Sequence, residues 1–199
     1  MGISLLHRKE RIIISTIETL NEVGIQNLST KLIAKREGVS EGTLFRHFKN
    51  KTEIMAAVID HFSQFDNAIM EASINRQLSP IETIRHFIGS YAEYYENYPE
   101  ITAVLQDYDS LMYDAELSEK IKTIISIRYH FILNAIKDGQ KNGTIRADIN
   151  GELLGDLIIG GSSEICLKWR MAKFSFSIKD RTLAMLDMLL DAFSIKGSQ

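Results

Sequence analysis

Cysteine and proline are scarce in this chain of 199 residues. The single cysteine, Cys166, excludes an intramolecular disulfide, and a lone thiol of this kind usually fills a small apolar core position. With only two prolines, Pro80 and Pro99, long stretches are free to form helices, and the apolar residues recur mostly at spacings of three and four. These features, with 45% hydrophobic residues to fill a core, predict an all-α protein.

Long apolar runs are also missing. No stretch approaches the ~20 apolar residues that span a bilayer. The first sixteen residues, MGISLLHRKERIIIST, place a short apolar patch before a group of charges, which is not the order of a signal peptide. We therefore expect a cytoplasmic protein that does not enter a membrane.

Signatures of catalytic and cofactor sites are absent from the sequence. It contains no G-x-S-x-G, no P-loop and no G-x-G-x-x-G. Its five histidines have neither metal-ligand spacing nor cysteine partners. We expect no enzyme activity, no cofactor and no metal. An enzyme built on a helical bundle is a remote alternative, which a bound metal or cofactor would revive.

Positive charge is scarce everywhere except near the start. Residues 1–55 carry nine Lys or Arg and six Asp or Glu, whereas residues 56–199 carry fourteen and twenty. A protein that coats nucleic acid without specificity is usually basic throughout. A mildly basic head on an acidic body instead suits a site-specific binder whose body stays away from DNA.

Residues 29–51, with the sequence STKLIAKREGVSEGTLFRHFKNK, contain the most informative pattern. Gly38 stands where a first helix must end, because glycine adopts positive φ without steric cost. Ser40 is a good N-cap for the next helix. Leu44 and Phe48 are four residues apart and face the same way. The segment predicts either a helix-turn-helix or an ordinary helical hairpin with a solvated basic face.

The run GVSEGTLFRHFKNK resembles the signature of the TetR family of bacterial transcriptional regulators. The shared pattern is GVS, then glycine-threonine-leucine-aromatic, then His-Phe, then a lysine that enters the fourth helix. The resemblance covers about the first 55 residues and extends upstream through Ser29, Ile33 and Ala34. The family usually has tyrosine where this chain has Phe45, so one expected phosphate contact is missing, although the ring can still pack on the DNA backbone.

The resemblance implies a set of DNA-contacting residues in this segment. Ser29 would cap the first helix and bind a phosphate, and Lys51 would bring charge to the start of the fourth helix. Thr43 and Glu41 are the expected base readers because of their exposure and hydrogen-bonding capacity. The full set is Ser29, Thr30, Lys31, Ser40, Glu41, Gly42, Thr43, Phe45, Arg46, His47 and Lys51.

About nine helices are predicted. A three-helix DNA-binding domain, residues 1–53 with its motif at about 29–48, would precede a helical ligand-binding and dimerisation domain, residues 54–199. Asn50 with Glu53, and Ser79-Pro80 with Glu82, are helix-start signals. Besides the two motif helices, the predicted helices run over about 7–23, 51–73, 80–97, a short stretch to 106, 115–141, 150–171 and 178–193.

The last two predicted helices carry apolar stripes at helical spacing. In the TetR family two such helices from each protomer form a four-helix bundle, so the resemblance implies a homodimer. Two heads about 34–36 Å apart would then read a palindrome. The alternative is that both stripes pack on their own body. The predicted interface residues are Leu153, Leu157, Gly161, Leu183, Leu186 and Leu190.

Four tyrosines, Tyr91, Tyr94, Tyr95 and Tyr98, are spaced to share one helix face. They form either an aromatic core or interface stripe, or the wall of a ligand pocket that Tyr129 and Trp169 would join. The pocket reading implies an apolar or aromatic small-molecule effector.

Taken with the resemblance, these patterns imply a sequence-specific DNA-binding transcriptional regulator. It would be a repressor, released from a palindromic operator when a small molecule binds the body. The alternative is a helical small-molecule-binding or interaction protein that has lost DNA binding, and Phe45 is the motif residue that favours it.

Overall fold

The computed structural model describes residues 5–194, with side chains from Arg8 onward. The all-α prediction is confirmed, and the predicted segments appear as longer helices joined by short ones. A 3-10 turn, Pro99–Thr102, precedes α7. The helices are α1 Leu5–Asn27, α2 Thr30–Glu37, α3 Glu41–Phe45, α4 Lys51–Phe62, α5 Asp66–Asn75, α6 Pro80–Asn97, α7 Ala103–Gln106, α8 Tyr108–Leu111, α9 Ala115–Lys141, α10 Gly151–Met171 and α11 Ile178–Phe193.

The chain divides into two compact units. The first contains the residues up to Gln64 together with Pro99–Ile124, and the second contains Phe65–Tyr98 and the chain from Ile125 onward. Helix α9 therefore contributes its first part to one unit and its second part to the other. The predicted boundary after residue 53 does not coincide with this division, because α4 is one continuous helix that packs on α1.

The core of the first unit lies under the inner face of α1. Ile12, Ile17 and Leu20 are buried, whereas Ile13 is half-buried. The regular course of α1 is interrupted at Gly24, which has φ 69 and ψ 166 and lies where the sequence predicted the helix end. Other fully buried side chains of this unit are Ile33, Leu44, Phe48, Ile54, Val58, Ile59, Phe62, Ile101 and Val104.

The predicted long helix over residues 51–73 is wrong at its middle. It ends at Phe62, and a new helix begins at Asp66. The hydroxyl of Ser63 donates to the carbonyls of Ile59 (3.2 Å) and Asp60 (3.3 Å), which is the kind of local bond that competes with the helical ladder. The start of α4 differs in one detail, since the Glu53 carboxylate accepts from the backbone of Lys49 rather than Asn50.

A buried carboxylate joins α1 to α2. Glu37 is 8% exposed, it accepts from Arg8 Nη1 (3.4 Å) and the hydroxyl of Ser15 (3.1 Å), and it forms an ion pair with Arg11 Nη2 (3.0 Å). A carboxylate is this deeply buried only where cations and donors replace its lost water. Glu37 therefore fixes the packing of the two helices.

The second unit is built on α6 and α11, with α10 packed on α11. The capping box predicted at Ser79 and Glu82 is confirmed. Small residues allow close approach, because a Cβ added at Gly89 would lie 3.2 Å from Leu183, and one at Gly161 would lie 3.1 Å from Met185. The second contact accounts for Gly161 of α10.

Replacing Glu37 with alanine is expected to lower the free energy of unfolding by about 1–3 kcal/mol, because two arginines and a serine hydroxyl lose their acceptor. Urea unfolding followed by circular dichroism measures the change. Glu22→Ala is the control, since Glu22 pairs with Arg36 at an exposed position and should cost less than about 1 kcal/mol. Equal losses in both variants would contradict a special role for Glu37.

Candidate functional site

Helices α2 and α3 form a helix-turn-helix whose ends are each closed by a specific bond. Ser29 caps α2 by accepting from the backbone N–H of Leu32 (3.3 Å). Gly38 has φ 72 and ends α2 with its own N–H directed to the last carbonyls of the helix. Ser40 caps α3 by accepting from the N–H of Thr43 (3.1 Å). Gly38 and Ser40 therefore set the turn between the helices, as the sequence predicted, and Ser29 closes the other end of α2.

The orientation of α3 depends on two apolar side chains. Leu44 is 0% exposed and Phe48 is 1% exposed, so both are inserted into the core of the first unit. Phe45, on the opposite side, is 46% exposed. The outer face of α3 is thereby presented to solvent, as a recognition helix requires.

None of the predicted DNA-contacting residues is buried. Each of them is exposed or half-buried. The exposed members are Lys31, Ser40, Gly42, Phe45 and Arg46, and the half-buried members are Ser29, Thr30, Glu41, Thr43, His47 and Lys51.

Two hydrogen-bonded groups organise the polar side chains of this surface. The hydroxyl of Thr30 donates to Glu41 Oε2 (2.7 Å), which joins α2 to α3. On α3 itself, Arg46 Nη2 donates to Thr43 Oγ1 (2.9 Å), and that hydroxyl lies 3.0 Å from Ser40 Oγ. The expected base readers, Glu41 and Thr43, are thus held by neighbours rather than left free.

Lys51 makes contacts inside the protein that the sequence did not predict. Its Nζ donates to the carbonyl of Leu28 (2.6 Å) and lies 3.5 Å from that of Ile25, so it ties the start of α4 to the end of α1. Burial lowers the pKa of Lys51. A phosphate contact by Lys51 stays a prediction. No local pattern in the sequence could have paired residues 23 positions apart.

The cations of the head fall into paired and exposed groups. Arg36 binds Glu18 and Glu22 on α1, and the hydrogen bond with Glu22 raises its pKa, so its charge is offset. Lys31, Lys35 and Lys49 are exposed. Lys9 of α1, which the sequence reasoning did not single out, lies 5.0 Å from the ring centre of Phe48. Exposed lysines of this kind attract DNA phosphates without regard to sequence.

A buried charged cluster occupies the second unit. Arg128 donates to both oxygens of Asp66, from Nε and Nη2, at 2.8 Å each. The hydroxyl of Tyr91 donates to Asp66 Oδ1 (2.5 Å), and the Arg128 guanidinium lies 4.3 Å from the ring centre of Tyr91. The two-oxygen arrangement is the strong form of an arginine-carboxylate pair.

Burial shifts the pKa values of this cluster. It raises the pKa of Tyr95 to about 12 and also raises that of Tyr91. Burial alone would lower the pKa of Arg128, but the hydrogen bond to Asp66 and the electrostatic attraction of Tyr95, Tyr91 and Asp66 together outweigh it, and the pKa is raised. Burial raises the pKa of Cys166 to about 11, in keeping with a core thiol.

The predicted ligand residues separate into buried and half-buried groups. Tyr91, Tyr95 and Trp169 are 7%, 9% and 2% exposed, so they form part of the core. Tyr94, Tyr98 and Tyr129 are half-buried, and the rings of Tyr94 and Tyr98 meet edge to face with centres 6.3 Å apart. A ligand contact by any of them stays a prediction.

The second unit also contains a groove that the sequence reasoning missed. Its volume is about 520 Å³, within the range of small-molecule sites. It lies among α5, α6 and α9, the helices that also supply the charged cluster. The lining residues are Ser73, Ile74, Gln77, Leu78, Pro80, Thr83, Phe131, Asn134, Ala135 and Asp138.

The predicted dimer stripe needs a correction. Leu186 and Leu190 are 0% and 3% exposed, because they pack inside the protomer, so they offer no surface to a partner. Leu183 and Gly161 take part in the close approaches of α6 and α10 to α11 within the chain. On α10, Leu153 and Leu157 are 60% and 52% exposed, and Met188 of α11 is 66% exposed. The periodic pattern marked apolar faces but not which neighbour covers them.

Within residues 5–194, no group of three or more His, Cys, Asp or Glu side chains could hold a metal ion. No described helix is both long and apolar enough to cross a membrane.

Tyr95→Phe is expected to make the protein less sensitive to alkaline pH. Because the folded pKa of about 12 lies above the ordinary value, Tyr95 stabilises the fold below about pH 10 and loses that contribution as the pH rises towards 12. The fall in unfolding free energy between pH 9 and pH 11 should be about 1 kcal/mol smaller in the variant. Tyr113→Phe, at a 93% exposed position, is the control. An unchanged slope in Tyr95→Phe would contradict the shift.

Comparison with known proteins gives matches along nearly the whole chain. Residues 12–58 match the family model for bacterial regulatory proteins of the tetR family, and residues 59–192 match the C-terminal region of YsiA-like proteins. A nucleoid occlusion factor SlmA from Actinobacillus pleuropneumoniae is 28% identical over 119 residues. That match spans 59% of this chain and 59% of the length of the curated relative.

Two further comparisons cover more of the chain. A fatty acid metabolism regulator protein of Bacillus subtilis is 23% identical over 187 residues, which is 94% of this chain and 95% of the relative. The crystal structure of the transcriptional regulator FadR from Bacillus subtilis in complex with stearoyl-CoA superposes with a TM-score of 0.78 at 22% identity. It covers 92% of this chain and 98% of that chain, so the two share a fold. From its N-terminal and C-terminal matches together, this chain belongs to the tetR family of bacterial regulatory proteins.

Proposed function

We propose that this protein is a sequence-specific DNA-binding transcriptional repressor that acts as a homodimer and leaves its operator when a small molecule binds the second unit. The observation that carries the proposal is the helix-turn-helix, whose inner side chains are buried while its polar outer face is exposed. The family assignment supports it, since the match over residues 12–58 covers this head. A repressor of this kind would act in the cytoplasm.

The head has the parts that DNA recognition requires. Ser40 and Gly42 leave the start of α3 uncrowded, and a Cβ added at Gly42 would meet only Ser40 Oγ, at 3.7 Å. Such an uncrowded start allows close approach to a groove. Exposed Arg46 can contact phosphate or guanine. Exposed Lys31 and Lys49 supply attraction that is independent of sequence.

For the effector, we infer a molecule with a long apolar chain. A solved regulator of the same fold holds stearoyl-CoA, and the second unit of this chain contains a groove lined in part by Ile74, Leu78, Pro80 and Phe131. Phe131 packs on Phe87 with ring centres 4.9 Å apart, so the groove adjoins the aromatic core. An acyl thioester is therefore the first class of effector to test.

Helix α9 offers a route from effector to head. Its second part lies in the second unit and carries Arg128, Phe131 and Ala135. In the first unit, Lys120 of α9 pairs with Asp60 of α4 (2.6 Å), and Asp114, just before α9, accepts from Thr52 (3.2 Å). An effector that shifts α9 would act on α4. It needs only a differential affinity of a few kcal/mol between the two states.

The DNA-binding part is tested by a mobility shift with the DNA upstream of the protein's own gene, at two salt concentrations and with competitor DNA. We expect a discrete complex that survives the competitor, and Arg46→Ala should weaken it about tenfold. Lys137→Ala, an exposed charge on α9 outside the head, should leave affinity unchanged. A smear that disappears at the higher salt would favour the alternative, a helical protein that no longer recognises DNA.

Addition of stearoyl-CoA to the same complex tests the effector. Release of DNA at concentrations where the protein binds the thioester is the expected result, and free coenzyme A serves as the control. If the thioester binds but operator affinity stays the same, this effector class is wrong for the chain.

Dimerisation is expected to use the exposed part of α10. Leu157→Glu should shift the protein from dimer to monomer in sedimentation equilibrium, because it places a charge in an apolar interface. Ile74→Glu is the matched control, since Ile74 on α5 is 68% exposed and lies outside the predicted interface. If Leu157→Glu remains dimeric, the interface lies elsewhere.

A further inference from the structure

We propose that Glu41 selects a cytosine in the operator and that Thr30 is the positioning residue that aims its carboxylate. This inference rests on the proposed function, because it concerns the DNA that α3 would read. It assigns to Thr30 a role other than phosphate binding, and to Glu41 a particular base.

The side chains of Thr30 and Glu41 are hydrogen-bonded to each other. Thr30 Oγ1 donates to Glu41 Oε2 at 2.7 Å, across the turn between α2 and α3. Among the described residues, Oε1 of Glu41 accepts no hydrogen bond. One oxygen is therefore fixed by α2, and the other is available to a donor outside the protein.

Glu41 keeps access to solvent at the start of α3. It is one turn away from both the buried Leu44 and the exposed Phe45, so it lies at the border between the inner and outer faces of the helix. Glu41 is half-buried, and Gly42 beside it is exposed. The carboxylate therefore remains accessible at the start of α3, the part of a recognition helix that meets base edges.

A carboxylate at a DNA surface is repelled by the phosphates, so it cannot serve as a contact to the DNA backbone. A carboxylate accepts hydrogen bonds and donates none, and the amino group at N4 of cytosine is the base donor with which it pairs in the major groove. A half-buried glutamate at the start of the recognition helix is therefore suited to cytosine.

Thr30 restricts the Glu41 side chain before DNA binds. A free glutamate side chain samples many rotamers and loses that freedom when it binds. The bond from Thr30 fixes the carboxylate before DNA arrives, which reduces the entropic cost of the base contact. Thr30 should therefore affect the choice of base more than the overall attraction to DNA.

Selection from a library of random duplexes tests this inference. Bound sequences are recovered and sequenced for the wild type and for Glu41→Ala, Glu41→Gln, Thr30→Val and Thr30→Ser. Competition titrations with one selected duplex and its single-base variants then give relative affinities at fixed salt. Thr144→Val is the control, because Thr144 also donates to a side-chain oxygen, that of Asn142, in the second unit.

We expect the wild type to select cytosine at one position of each half-site. Glu41→Ala should reduce that preference about tenfold, and Glu41→Gln should move it towards adenine, which glutamine reads through N6 and N7. Thr30→Val should reduce the preference about threefold or more while retaining the salt dependence. Thr30→Ser and Thr144→Val should behave as the wild type.

Two results would overturn the inference while leaving the proposed function in place. One is specific binding with the same base preference in Thr30→Val or Glu41→Ala. The other is a Thr30→Val variant that binds all sequences more weakly with a shallower salt slope, which would make Thr30 a phosphate contact. If the wild type enriches no sequence at all, the proposed function fails, and the inference fails with it.

Discussion

The burial of Leu44 and Phe48 is the interaction on which the rest of the head depends. Helix α3 has five residues, far too few to be stable alone. Its position is held by these two side chains and by the turn that precedes it, where Gly38 ends α2 and Ser40 caps the start of α3. Because packing fixes the inner face, the outer face can carry polar residues chosen for recognition. A helix this short can present its outer side chains at fixed positions only because a larger core holds it.

Two buried carboxylates also hold neighbouring helices together. Glu37 joins α1 and α2 through Arg8, Arg11 and Ser15, and Asp66 joins α5, α6 and α9 through Arg128 and Tyr91. Each carboxylate is costly to bury and is retained with several donors around it. Such groups specify one arrangement of helices. The Asp66 cluster also occupies the helices that line the groove, so a bound ligand would act on a well-defined packing.

The family match and the helix-turn-helix coincide over the head, whereas no sequence signature marks the groove in the second unit. The match over residues 12–58 coincides with the helix-turn-helix, where exposed polar residues surround a buried brace. In the second unit, the tyrosine stripe is partly core, and the open volume lies beside it among residues that carry no sequence signature. Effector sites need shape more than fixed residue types, since apolar lining can be supplied by many side chains. DNA-binding heads need particular groups at particular positions.

Features that depend on neighbours along the chain could be predicted from the order of residues. Helical periodicity predicted the all-α class, Gly38 and the serine-proline start at Ser79 marked helix ends, and residues 29–51 identified the head. Long-range pairs became visible with the folded structure. Lys51 reaches carbonyls 23 and 26 positions away, Arg128 pairs with Asp66 across 62 positions, and Leu186 is covered by its own protomer. A periodic pattern shows which face of a helix is apolar, but the element that covers that face is set by how the helices pack.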